Sequence, residues 1–175
     1  MYNPINTNLI NTVIYFASIL RPDAYLELGL DKAETISKVR KYTRQAIGVD
    51  INKPENTFGF TFYQMDTDSF FAKIKCKEII IPTLDMVFID AYHSYEQSSR
   101  DFNNAFEYLS DNGLIFLHDT YPRNEFFTDQ GYCGDSYKTA WHIRMLRVFR
   151  CEIVTIPCHP GMSIVRKCSK QLPWK

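Results

Sequence analysis

Glycine is scarce in this chain of 175 residues: there are seven, and none are spaced G-x-G. Backbone amides that cradle a pyrophosphate need such close-set glycines. Their absence counts against an NAD- or FAD-dependent oxidoreductase. An excess of either charge is also missing, since 20 Lys+Arg balance 20 Asp+Glu. General nucleic-acid binding wants a basic surface, so no such partner is expected. The cysteines Cys76, Cys133, Cys151, Cys158 and Cys168 are odd in number and show no C-x-x-C pair. That pattern argues against a disulfide framework and a structural zinc site. Free thiols suit a reducing compartment, and a cytoplasmic location is expected. There is no long apolar run. The stretch Leu9–Leu20 is broken by Asn11, Thr12 and Ser18 and is too short to span a bilayer, so no membrane partner is expected.

What is present is an alternation of short apolar runs with helical segments. Without repeats or linkers, residues 1–175 are expected to form one domain, large enough to bury a core. Leu9, Val13, Phe16, Ala17 and Leu20 recur at helical spacing. Strands are expected over Tyr25–Leu28, Ala46–Ile51, Thr61–Met65, Asp85–Ile89 and Leu114–Leu117. Helices are expected over Glu34–Tyr42, Asp68–Lys75, Ser94–Leu109 and Tyr137–Val148, the last packing through Trp141, Leu146 and Val148. Asp111-Asn112-Gly113 reads as a turn. Strands alternating with helices make a parallel sheet covered on both faces. Glu152–Ile156 and Met162–Val165 are joined by five residues, too few for a crossover helix, and so form an antiparallel hairpin. The expected fold is α/β: a Rossmann-like, seven-stranded, mostly parallel sheet with helices on both faces and a C-terminal antiparallel hairpin.

Acids stand at the carboxyl ends of these strands: Asp50, Asp66, Asp90 and Asp119, with Glu27 inside the first. Ligands of open α/β sheets bind outside those ends. A row of acids there marks a polar ligand site better than turn chemistry explains it. Gly29 would let the backbone approach a ligand. Asp50 lies about twenty residues beyond it, where a ribose-binding carboxylate is expected.

Tyr25-Leu26-Glu27-Leu28-Gly29 resembles the first motif of class I S-adenosylmethionine (SAM)-dependent methyltransferases, and Ile47-Gly48-Val49-Asp50-Ile51 their second-strand motif. Asp85 to Glu96, through Asp90-Ala91-Tyr92-His93, is the sharpest likeness. With Gly113 to Asp119, it resembles the small-molecule O-methyltransferase branch that includes macrolide-sugar O-methyltransferases and cephalosporin-hydroxylase-like proteins. The resemblance implies that Glu27 and Gly29 line the amino-acid end of SAM, that Asp50 holds its ribose, and that Asp66 and Thr67 lie near the adenine. It places Asp90 at the cofactor and the reacting centre, with His93 as general base. It implies a divalent metal, magnesium in the family, held by Asp90, His118 and Asp119. His118 stands where an acid is usual, and the usual second glycine of the first loop is missing. Magnesium prefers oxygen ligands, so His118 either weakens a magnesium site, leaving Asp90 and Asp119 to hold the ion with waters, or favours a softer metal.

Methyl transfer needs an oriented acceptor and a group to take its proton, and the intrinsic pKa of His93 suits that task. The acceptor implied is a small hydroxylated molecule, a sugar being one candidate. Tyr92, Tyr95, Tyr121 and Tyr132 are candidates to line its pocket, and residues 121–135 to cover it. His159 is expected to be solvated in the last turn. With no large lid insertion, the site is expected to be open or closed by a second copy of the chain. The alternative is a SAM-binding regulatory or assembly protein without turnover, motivated by the shortened loop and His118.

Overall fold

A computed structural model describes residues 9–146 and 150–168. Five helices and seven strands follow in chain order: α1 (Leu9–Leu20), β1 (Ala24–Leu28), α2 (Glu34–Val39), β2 (Gln45–Asp50), β3 (Thr61–Gln64), α3 (Thr67–Lys75), β4 (Leu84–Ile89), α4 (Tyr95–Tyr108), β5 (Leu109–His118), α5 (Tyr137–Leu146), β6 (Cys151–Ile156) and β7 (Met162–Lys167). They build one sheet in the order β3-β2-β1-β4-β5-β7-β6. The first five strands are mutually parallel. β7 runs antiparallel between β5 and β6, so the hairpin inserts its second strand into the sheet.

Alternation along each strand divides the core in two. Leu26, Leu28, Val49, Val87, Ile89 and Leu117 share one buried cluster with Phe70, Phe102 and Ile143 of α3, α4 and α5. Tyr25, Met86, Phe88, Phe116 and Ile164 share the other with Val13 of α1 and Ile36 of α2. Every residue of β1 is buried, as both faces are covered. The expected fold class is therefore the observed one.

Three local expectations are corrected. Asp111-Asn112-Gly113 is not a separate turn before a strand but lies inside β5. The pairing jumps from Leu84↔Leu109 to Met86↔Leu114, and the extra residues are absorbed as a bulge with Asn112 at φ 67°. The helix expected over Glu34–Tyr42 ends at Val39. Trp141 and Leu146 do not pack; they are 62% and 55% exposed, and α5 buries Thr139, Ala140 and Ile143 instead. Val148, the third expected packing residue, lies outside the described residues.

The strand order reverses between β1 and β4, and a crevice opens at their carboxyl ends. Asp90 N–H donates to the Leu28 carbonyl at 2.9 Å, which ties the two strand tips together.

Candidate active site

A cleft of about 750 Å³ occupies that crevice. Gly29, Asp50, Asp66 and Thr67 line one half, and Asp90, His93, His118 and Asp119 the other. Of the expected cofactor, catalytic and metal residues, Glu27 alone does not line it.

Glu27 is buried inside the β1 layer and accepts a hydrogen bond from the Tyr25 hydroxyl at 2.5 Å. Burial pushes its carboxyl up to about 8, against the opposing pull of the Tyr25 hydrogen bond. Glu27 is the next-to-last residue of β1, but its side chain turns into the buried layer toward Tyr25 instead of into the cleft. Gly29 does line the cleft, but its missing Cβ serves the chain first. At φ +82° a side chain there would overlap the Asp90 carbonyl. Glycine is required for β1 and β4 to meet.

The acids of this half are held by local amides. Asp50 Oδ2 accepts from Leu30 N at 2.7 Å and Asp31 N at 3.3 Å, and Oδ1 from Asn52 N at 2.7 Å. The carboxylate thus shapes the first loop, in which Asp31 and Ala33 take left-handed φ of 45° and 57° without glycine. Asp66 is the N-cap of α3: its oxygens accept from Ser69 N and Ser69 Oγ, both at 2.7 Å, and these bonds lower its pKa. Thr67 Oγ1 accepts from Gln97 Nε2 at 2.9 Å.

The other half has few amide donors and many mutual contacts. Asp90 follows β4, and Ser94 caps α4 by accepting from Gln97 N, so His93 sits on the turn between strand and helix. His93 Nε2 lies 3.1 Å from Asp119 Oδ2 and 3.7 Å from Asp90 Oδ1. His118 Nδ1 lies 3.0 Å from Asp90 Oδ1 and 3.3 Å from Asp119 Oδ2. Asp119 itself takes a left-handed φ of 58°. Burial opposes charge on Asp90, yet His118 and His93 hold its carboxyl at about 2. Burial also opposes charge on His118, yet Asp90 and Asp119 raise it to about 10. Asp90 and the charge on Asp119 raise His93 as well, against burial.

His118 Nδ1 is a buried nitrogen close enough to pair as an ion but without a hydrogen bond of acceptable geometry. Such an orphan beside two carboxylates fits a site in which a cation sits among them. Ligand atoms of Asp90, His93 and Asp119 all lie within 4.8 Å of one another. Two oxygens and an imidazole nitrogen suit a borderline transition ion better than magnesium. His93 therefore competes with His118 for the nitrogen position.

The segment after Asp119 folds back over this half. Gly134 packs on the His93 carbonyl, which accepts from Asp135 N at 3.1 Å. Asp135 Oδ1 in turn accepts from Tyr95 N. Tyr132 and Cys133 line the cleft, as does Tyr92. Tyr121 and Tyr95 do not; the Tyr95 hydroxyl meets His142 Nδ1 between α4 and α5.

Among the cleft residues that the sequence did not point to are Gln97 and His159. Gln97 lines the cofactor half, and its place one helical turn after His93 was the available signal. His159 lines the cleft, with its ring 4.2 Å from Phe127 and Nδ1 buried, rather than standing in solvent. Gly161, at φ +92°, is the reason: without a Cβ the last turn packs directly on Tyr121, whose N–H donates to the Pro160 carbonyl.

The sheet order, the inserted terminal hairpin and the switch-point cleft define the class I SAM-dependent methyltransferase fold. Solved structures share it. Rv0187 of MTB, cofactor-bound, superposes with a TM-score of 0.71 at 10% identity, covering 94% of this chain and 82% of that one. An O-methyltransferase from Bacillus cereus, in complex with SAH, gives 0.67 at 10%, covering 95% and 82%. The O-methyltransferase TomG of Streptomyces achromogenes, involved in tomaymycin synthesis and solved with SAM, gives 0.68 at 10%, covering 91% and 79%. A family model described as a methyltransferase domain matches residues 11–120, well over half of the chain. The chain belongs to this methyltransferase family. No curated protein sequence matches it. No described helix is long and apolar enough to cross a membrane.

Proposed function

We propose that this enzyme moves the methyl group of SAM to a hydroxyl oxygen of a small acceptor, with a sugar as the acceptor class first to be tried and the cytoplasm as its location. The observation that carries the reading is the gathering of Asp90, His93, His118 and Asp119 at one end of a single cleft whose other end holds Asp50, Asp66 and Thr67. Its volume is in the range of small-molecule sites.

SAM, when bound, supplies the methyl group and its own leaving group. Asp50 would take the ribose at Oδ1, which keeps a lone pair beyond the Asn52 amide it accepts, while Oδ2 already accepts from Leu30 and Asp31. Gly29 would floor the site, while Asp66 and Thr67 would lie by the adenine. Glu27 would act from behind, holding the β1 tip through Tyr25. His93 would take the acceptor's proton, with Asp119 at 3.1 Å orienting the ring and stabilising its charged form. Asp90, Asp119 and His118 would hold a divalent ion, which lowers the pKa of a bound hydroxyl. If His93 supplies the nitrogen instead, it is no longer free to act as base.

Calorimetry with SAM and SAH tests the first step, with micromolar binding expected. Transfer of labelled methyl to a panel of sugars and other hydroxylated molecules tests the second, with and without His93→Ala. Absence of binding overturns the reading. Binding with no transfer to any acceptor would favour the regulatory or assembly alternative.

A further inference from the structure

The two edges of the sheet are not protected alike. β3, at one edge, has only four residues, and a short edge strand offers little to pair with. β6, at the other edge, has six residues, pairs with β7 alone among the described residues, and reads Cys-Glu-Ile-Val-Thr-Ile. It contains no lysine, no proline and no bulge in its pairing with β7, the usual devices that blunt an edge. Its single charge, Glu152, is already engaged by Arg166 at 2.9 Å.

Apolar side chains flank this open edge. Val154 of β6 is 58% exposed. Thr155 faces Arg144 of α5, so the alternation puts Val154 on the opposite face of the sheet. On α5, the helix that packs against β6, Trp141, Met145 and Leu146 are 62%, 59% and 55% exposed. At 62% exposure Trp141 alone offers roughly 90–155 Å² of an aromatic side chain's roughly 150–250 Å². A standard interface takes roughly 800 Å² per partner, so the aliphatic side chains and the main chain of β6 have to supply the rest.

We propose that β6 pairs with β6 of a second copy, antiparallel about a two-fold axis, to make one continuous sheet through a dimer. The register that centres on Val154 is self-complementary. Val154 meets its own copy, Ile153 meets Thr155, and Glu152 meets Ile156. No like charges oppose each other, and the chain carries no net charge to repel its copy. The cleft opens at the strand tips rather than at this edge, so pairing leaves it free. The inference does not depend on the reaction proposed above.

Sedimentation equilibrium of the full chain at micromolar concentration tests it. The expected mass is twice the 20.5 kDa of one chain. Val154→Lys at the edge and Trp141→Ser on α5 are each expected to weaken the dimer at least tenfold while leaving SAM binding unchanged. Trp141→Ser alone suffices if Val154→Lys does not fold. Amide exchange of Val154 and its neighbours should slow on dimerisation. A monomeric full chain overturns the proposal, and so does a dimer that both variants leave intact. A chain ending at Cys168 that dimerises when the full chain does not would show that the chain's own tail covers the edge, and would also overturn it.

Discussion

The two halves of the cleft use the same residue types in opposite ways. Around β1 to β3 the cleft acids are matched to donors a few residues away or across one loop: Asp50 to the amides of Leu30, Asp31 and Asn52, and Asp66 to Ser69. Around β4 and β5 the acids face histidines, and His118 Nδ1 makes no proper hydrogen bond. Satisfied carboxylates build a rigid frame. Crowded, partly unsatisfied ones keep free energy available for a proton, a metal or a reacting group. The first half is therefore suited to holding, and the second to chemistry.

Substitutions can break this contrast, and their effects should fall in order. His93→Ala should lower methyl transfer by about 10²- to 10⁴-fold, the usual worth of a general base, while SAM binds as before. An unchanged rate would remove His93 from the chemistry. Glu27→Gln comes next, read as stability against pH. The folded-state pKa of Glu27 is raised from 4.5 to about 8, so the folded protein binds the extra proton between those values. Its contribution is complete below pH 4.5 and is lost as pH rises through 8, a change of several kcal/mol by linkage. The wild-type melting temperature should fall on this account between pH 5 and about 9, as the linkage requires, and the variant should not show that fall. A parallel decline in both would clear Glu27.

Asp50→Ala should weaken SAM binding about 10- to 100-fold, since hydrogen bonds to a charged group are worth about 1.5–3 kcal/mol. Because Asp50 also holds the first loop, melting should drop with affinity; lost affinity at constant stability would mean direct contact only. Asp66→Ala should have the smallest effect, about 1 kcal/mol for a lost N-cap. Chemical denaturation measures it, and a loss above about 2 kcal/mol, beyond the usual range for caps, would mean that Asp66 does more than start α3.

Sequence reading recovered the framework because periodicity reports burial. The alternation, the hairpin and the strand-end position of Asp50, Asp66, Asp90 and Asp119 all follow from local pattern. Glu27 does not line the cleft because its side chain is engaged by Tyr25 within the buried sheet, a contact that the motif does not report. His159 was misplaced because its neighbours, Phe127 and Tyr121, lie more than thirty residues away. The bulge in β5 was missed because Asp-Asn-Gly reads as a turn whether or not pairing resumes around it. Trp141 and Leu146 are apolar positions on α5, but which face of a helix is buried depends on what stands opposite, and that lies outside the local pattern.

β7 lies inside the sheet, between β5 and β6, although it follows both in the chain. During synthesis β5 and β6 therefore emerge before the strand that joins them. The same hairpin turn holds Tyr121 and carries His159 to the cleft. Met162–Lys167 contributes no cleft residue itself, yet it anchors the turn on which His159 and Pro160 stand. The sheet is thus completed from its C-terminal end, and the His159 side of the cleft takes shape only with the last hairpin.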